Sequence, residues 1–170
     1  MRICGIDPGL RCTGYAILEV KGASPAVVEA GVVRSDASLA LPARLLQLAR
    51  DMGDLLDEHH PDAVIVEKLY SHYAHPVTAI LMGHARGVIL AAAARQHAQV
   101  VEISATRIKR LLTGNGHASK IQVQTAVVRL LRLARRPQPP DVADAIAISL
   151  AGWRRLAADK AQARLPGRSM

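Results

Sequence analysis

Four carboxylates in this 170-residue chain stand where an acid is costly unless something answers its charge. Asp7 closes the apolar run Ile3-Cys4-Gly5-Ile6 and is followed by Pro8-Gly9, and Glu67 closes Ala63-Val64-Ile65-Val66. Asp141 and Asp144 lie three apart at the head of an apolar stretch, a spacing that puts both on one helix face. If the strands ending in Asp7 and Glu67 are sheet neighbours, and the late helix packs across their ends, all four acids meet. Such a cluster repels itself unless cations neutralise it, and hard oxygen ligands select Mg²⁺ or Mn²⁺. Two such ions suit in-line displacement at phosphorus. Each acid also has a plain structural reading: Asp7 as a turn former, Asp141 as a cap, Asp144 as a first-turn acid. The joint pattern points to chemistry, although Asp-x-Gly after a first strand also opens sugar kinases and actin-like ATPases.

The basic residues are segregated from these acids. The net charge is +8, and residues 106–136 hold Arg107, Lys109, Arg110, Lys120, Arg129, Arg132, Arg135 and Arg136 without one acid. A solvated helix face is one reading. A phosphate-binding surface is the other, and Arg107, Arg110 and His117 then join the lysines as DNA contacts. Aromatics are only 2% of the chain, which argues against modules that stack single strands on aromatic platforms.

The elements that must position these groups follow from period and punctuation. Strands are expected at 2–7, 13–20 and 26–34, joined by tight turns into an antiparallel meander. Leu41, Leu45, Leu48, Met52 and Leu55 mark an amphipathic helix over 42–59. A strand at 63–66 ending at Glu67, a long helix over about 76–97 and a strand at 99–103 come next. Ser104 caps a helix through about Leu112, and Ser119 with Gln122 has capping-box spacing for a helix over about 120–135. Pro137 to Pro140 break the chain before a last helix from Asp141 to about Ala158. The order predicts an α/β fold: a five-stranded mixed sheet, three strands antiparallel and two parallel, with helices on both faces. One domain over 1–158 and a mobile basic tail over 159–170 are expected.

Five ordered motifs then resemble one family. They are Ile6-Asp7-Pro8-Gly9 with Thr13-Gly14-Tyr15, Glu67 with Tyr70 three residues on, and Gly83-His84-Ala85-Arg86-Gly87. Lys109 with the run from Gly114 to Gln124, and Asp141-Val142-Ala143-Asp144-Ala145, complete the set. From residue 2 to about 153 the chain is similar to the RuvC family of bacterial Holliday-junction resolvases, within the RNase H-like (retroviral integrase) superfamily. The resemblance implies that Asp7, Glu67, Asp141 and Asp144 are catalytic acids holding two Mg²⁺ ions, with Mn²⁺ an alternative. It implies that Lys109 and Lys120 meet DNA phosphates and that Tyr70, where the family usually carries Phe, stacks on bases. Lys68 stands where Gln is expected. A homodimer would nick a four-way junction symmetrically, leaving 5′-phosphate and 3′-hydroxyl ends, in recombination and repair. A branch-migration complex is the partner the family suggests.

Other residues carry less. Cys4 and Cys12 read as free thiols of a reducing cytoplasm. The most apolar window, 74–94, contains His75, His84 and Arg86, which argues against a membrane span. His59-His60 reads as a helix end that favours the dipole, and His72 and His75 as loop residues on the DNA side. Two competing functions remain: an actin-like ATPase, which needs phosphate and adenosine motifs not found here, and a junction-binding protein without catalysis.

Overall fold

The computed structural model describes residues 1–68 and 76–163. Its core is a five-stranded sheet in the order β3-β2-β1-β4-β5. The strands are β1 (Arg2–Asp7), β2 (Cys12–Lys21), β3 (Ser24–Arg34), β4 (Ala63–Glu67) and β5 (Gln99–Ile103). The first three form the expected meander, and β1, β4 and β5 run parallel. The helices are α1 (Leu41–His59), α2 (Pro76–Arg95), α3 (Ala105–Thr113), α4 (Lys120–Leu131) and α5 (Pro140–Ala163).

The strands are apolar on both sides because both sheet faces are covered. Cys4, Ile6, Ile17, Val64 and Val66 pack with α1 and α2. Ile3, Ala16, Leu18, Ala63, Ile65 and Ile103 pack with α3, α4 and α5. Side chains alternate between faces along a strand. Ile3 and Ala63 face α5, so Asp7 and Glu67, each an even number of residues further on, leave their strands toward α5 too. The β1–β4 register pairs Ile6 with Val66, and the next residue on each strand is the acid.

Helix α5 lies directly on the sheet because β1 and β2 carry glycines beneath it. A Cβ on Gly5 would sit 2.5 Å from the Ser149 backbone nitrogen, and one on Gly14 would overlap the Asp141 carbonyl. Gly14 is also the register partner of Asp7. One missing side chain thus brings the head of α5 against the end of β1.

Several boundaries differ from expectation. Helix α4 stops at Leu131, not near 135: Arg132 turns left-handed (φ 52°), and the Leu133 N–H reaches back to the Val128 carbonyl at 3.0 Å. That turn lets Leu133 pack on the core. Helix α5 runs to Ala163, five residues past the expected end, so the first part of the anticipated tail is helical. Helix α2 ends at Arg95, and β2 and β3 are slightly longer than expected because the turn at Gly22 is tight.

Candidate active site

The sheet and α5 bring the four acids to one end of the molecule. Asp7 and Glu67 come from neighbouring strand ends, and Asp141 and Asp144 from the first turns of α5. The turn after Asp7 is closed locally: the Thr13 hydroxyl donates to the Gly9 carbonyl at 2.6 Å and accepts from the Gly9 N–H at 3.3 Å. Thr13 is fully buried, so the turn is held from inside.

The electrostatics record the crowding. Burial, then the charges of Asp144, Glu67 and Asp141, push the Asp7 carboxyl up to about 7. Burial and Asp144 raise Glu67 as well, against a lowering by Lys109. No three of the four acids bring their oxygens within 4.8 Å of one another among the described residues. Lys120 answers them as well. Lys120 Nζ donates to Asp144 Oδ2 at 2.7 Å, and the charges of Asp144, Asp7 and Asp141 hold its ammonium protonated. The α5 N-terminus adds its partial positive charge from below.

Lys120 is delivered by its helix end. Ser119 caps α4, its hydroxyl accepting from the Gln122 N–H, while Gln122 returns a bond to the Ser119 N–H at 2.8 Å. Lys109 projects from α3, whose N-cap is Ser104. Glu67, Lys109, Lys120 and Asp144 together line a pocket of 260 Å³ with an apolar floor of Ile108, Val123, Ala147 and Ile148. Hard carboxylate oxygens, with an ammonium standing in for a cation, form a donor set that fits divalent Mg²⁺ or Mn²⁺.

The other expected contacts are placed less centrally. Arg107 and Arg110 are exposed on α3, and His117 is exposed in the α3–α4 turn with its N–H bonded to Asn115 Oδ1 at 2.9 Å. None of the three lines the pocket. Tyr70, His72 and His75 lie outside the described residues. Lys68 is exposed, its N–H bonded to the Ile103 carbonyl at 2.9 Å.

Three groupings were not read from the sequence. Arg86 of α2 pairs with Glu102 of β5 and donates to the Glu67 main-chain carbonyl at 3.4 Å, tying α2 to the strand end that carries an acid. The motif Gly83 to Gly87 signalled Arg86 but not its partners. Cys12 lies against Asp141, and burial and that carboxylate raise its thiol. Away from the acids, His59 stands in the last turn of α1 as expected and is also buried; its Nε2 lies 3.1 Å from Glu29 Oε2, and the Tyr15 hydroxyl donates to Glu29 Oε1 at 2.6 Å. Glu29, His59 and Glu58 form the one group of three or more His, Cys or acidic side chains within 4.8 Å among the described residues. The Tyr15–Glu29–His59 network joins β2, β3 and α1, and no signal of period or spacing announced it.

A family model described as crossover junction endodeoxyribonuclease RuvC matches residues 3–152. A curated relative from Rhodopirellula baltica with the same description is 49% identical over 150 residues, spanning 88% of this chain and 84% of the relative. One from Gloeobacter violaceus is 42% identical, over 90% of this chain and 88% of the relative. Among solved structures, Thermus thermophilus RuvC in complex with a Holliday junction substrate superposes with a TM-score of 0.86 at 30% identity, covering 94% and 96% of the two chains. The yeast mitochondrial Holliday junction resolvase Ydc2 shares the fold, with a TM-score of 0.67 at 15% identity.

Proposed function

Because the chain belongs to the RuvC family of crossover junction endodeoxyribonucleases, with the RNase H-like fold, we propose that its four clustered acids are where a four-way DNA junction is cut. The observation that carries this reading is the convergence of Asp7, Glu67, Asp141 and Asp144 beside Lys109 and Lys120. Acids alone would repel DNA; acids flanked by lysines admit a phosphodiester only once cations balance them. Two Mg²⁺ or Mn²⁺ ions held there would supply Lewis acidity at the phosphoryl oxygens and an activated water.

The chain's own residues do the rest. Asp7 and Glu67, fixed by the β1–β4 register, and Asp141 and Asp144, on one face of α5, present oxygens from three rigid elements, as positioning demands. Lys120 pairs with Asp144. Were cations held on the acids, Lys120 would be free to meet a phosphate oxygen beside the scissile bond, and Lys109 would meet a second. Hydrolysis with departure of the 3′-oxygen leaves 5′-phosphate and 3′-hydroxyl ends. Tyr70, three residues past Glu67, is proposed as the base-stacking ring.

A homodimer is proposed from α2. Its Val77 and Ile80 are 69% and 60% exposed, and a Cβ on Gly83 or Gly87 would meet nothing within 4 Å. Nothing in the described part of the chain requires those glycines, whereas a second copy approaching closely would. Two-fold pairing would set two acid clusters against two strands of like polarity. A cytoplasmic setting and a branch-migration partner accord with this reading.

The test is a synthetic four-way junction with Mg²⁺, cut by the wild type and by Asp7→Asn. The variant is expected to bind the junction and to cut at least about 100-fold more slowly, since even outer-shell partners of a metal are worth 10–100-fold. Equal cutting would remove the acids from catalysis, and equal cutting of plain duplex would remove the junction as substrate.

A further inference from the structure

Helix α5 has two flanks at its acidic end, and only one has been assigned. Asp144, Ala147 and Ile148 face the pocket with Lys109 and Lys120. On the other flank, Val142 and Ile146 floor a larger groove of 610 Å³, bounded by β3 and by the segment from Leu133 to Gln138. Arg135 and Arg136 line that groove and are exposed. Among the described residues neither is paired with a carboxylate. The one acid in the lining, Glu29, is already engaged by Tyr15 and His59. The arginines sit just past the left-handed turn at Arg132 and just before Pro137-Gln138-Pro139-Pro140, a stretch whose fixed φ angles limit backbone freedom. That stretch runs straight into Asp141.

We infer that Arg135 and Arg136 form a second phosphate anchor, on the opposite side of α5 from Lys109 and Lys120, which holds the duplex arm beyond the cut. The inference rests on the function proposed above. Two unpaired guanidiniums held on a short tether beside an acidic cleft suit a polyanion that already crosses the cleft. Their planar forks suit phosphate oxygens better than a point charge would. An acidic protein segment is the other class of partner the charge admits. Nucleic acid is favoured because the groove adjoins the first turn of α5, so one backbone can span both flanks. The anchor reads no base, and its contribution is to affinity and to the path of the arm.

The experiment uses the intact protein, a four-way junction and Ca²⁺, with binding measured from low to high salt. The double variant Arg135→Gln/Arg136→Gln is expected to bind more weakly at low salt. Its slope of log affinity against log salt should be shallower by about 1 to 2, since each phosphate contact contributes about 0.9. A hydroxyl-radical footprint should lose protection on one side of the cut site and keep it on the other. The lysine pair Arg135→Lys/Arg136→Lys should recover most of the slope. An unchanged slope with an unchanged footprint would overturn the anchor, as would a shallower slope with protection lost evenly on both sides. Failure of the proposed function reads differently: the wild type itself would then show no junction footprint, or would bind the junction and leave it uncut when Mg²⁺ replaces Ca²⁺.

Discussion

Asp7 sits largely buried among three like charges, and that position sets how it answers pH. A free aspartate has a pKa near 3.8, and here the carboxyl is pushed to about 7. Between those values the unfolded chain has released a proton that the folded chain still holds. Whatever stability the protonated form contributes is complete below about 3.8 and is lost as pH rises through about 7. The difference is worth at most about 4 kcal/mol. A divalent cation held on the acids, as proposed, would oppose that loss, so Mg²⁺ should raise the melting temperature more at pH 8 than at pH 5.5. Asp7→Asn should melt higher than the wild type at pH 8 without metal, by up to a few kcal/mol, with the gain shrinking toward pH 5. Equal Mg²⁺ shifts at both pH values, or a variant less stable at pH 8, would show that the crowding is relieved by something other than cations. The placement of the acids at two strand ends and on one helix face was legible because turn punctuation and helical spacing are local rules. The Lys120–Asp144 pair, 24 residues apart, and the Tyr15–Glu29–His59 network were not, since each depends on which elements the fold sets side by side.

At the scale of elements, the site depends on two small devices. Gly14 lets the head of α5 touch β2, and an added Cβ would overlap the Asp141 carbonyl backbone, which cannot step aside as a flexible side chain can. Gly14→Ala should therefore cost more than the typical ~1 kcal/mol of a point change and should also weaken the response of stability to Mg²⁺. A variant with wild-type melting and wild-type Mg²⁺ response would show that α5 can shift freely. The Ser119–Gln122 capping box is the second device, placing Lys120 at the first position of α4. Ser119→Ala should cost about 1 kcal/mol and slow junction cutting, measured by melting and by single-turnover cleavage. Rescue of both by Ser119→Asp would assign the effect to the cap. The order of elements and this capping box were readable from turn residues and periodicity. The ends of α4 and α5 were not: Leu133 folds back under its own helix, and α5 continues because nothing after Ala158 breaks it before Ala163.

Across the whole molecule, the unusual feature is α2, a 20-residue helix with a mean hydropathy of 1.6 over its most apolar window and only 22% of that window buried. Length and hydropathy alone would admit a membrane span. Arg86, held by Glu102 and by the Glu67 carbonyl, fixes one face of the helix against the sheet. Ala85, Ile89, Ala92 and Ala93 are buried on that side, and Ile80, Gly83, Gly87 and Ala91 are exposed in steps of three or four. A sequence shows such a helix as apolar all round and cannot say which face its own sheet will cover. If the exposed stripe pairs with its copy, Ile80→Asp/Gly87→Glu should convert the protein to a monomer in sedimentation at micromolar concentration. The acid cluster of each subunit would stay whole, because no residue of that stripe touches it. Cutting should then lose its pairing rather than its chemistry. On a supercoiled plasmid bearing a cruciform, two nicks in one encounter give a linear product, whereas one nick relaxes the plasmid and removes the cruciform. The variant is expected to shift the product from linear to nicked circle. A variant that stays dimeric, or a monomer that still gives linear product at the wild-type ratio, would place the source of paired cutting elsewhere than in α2.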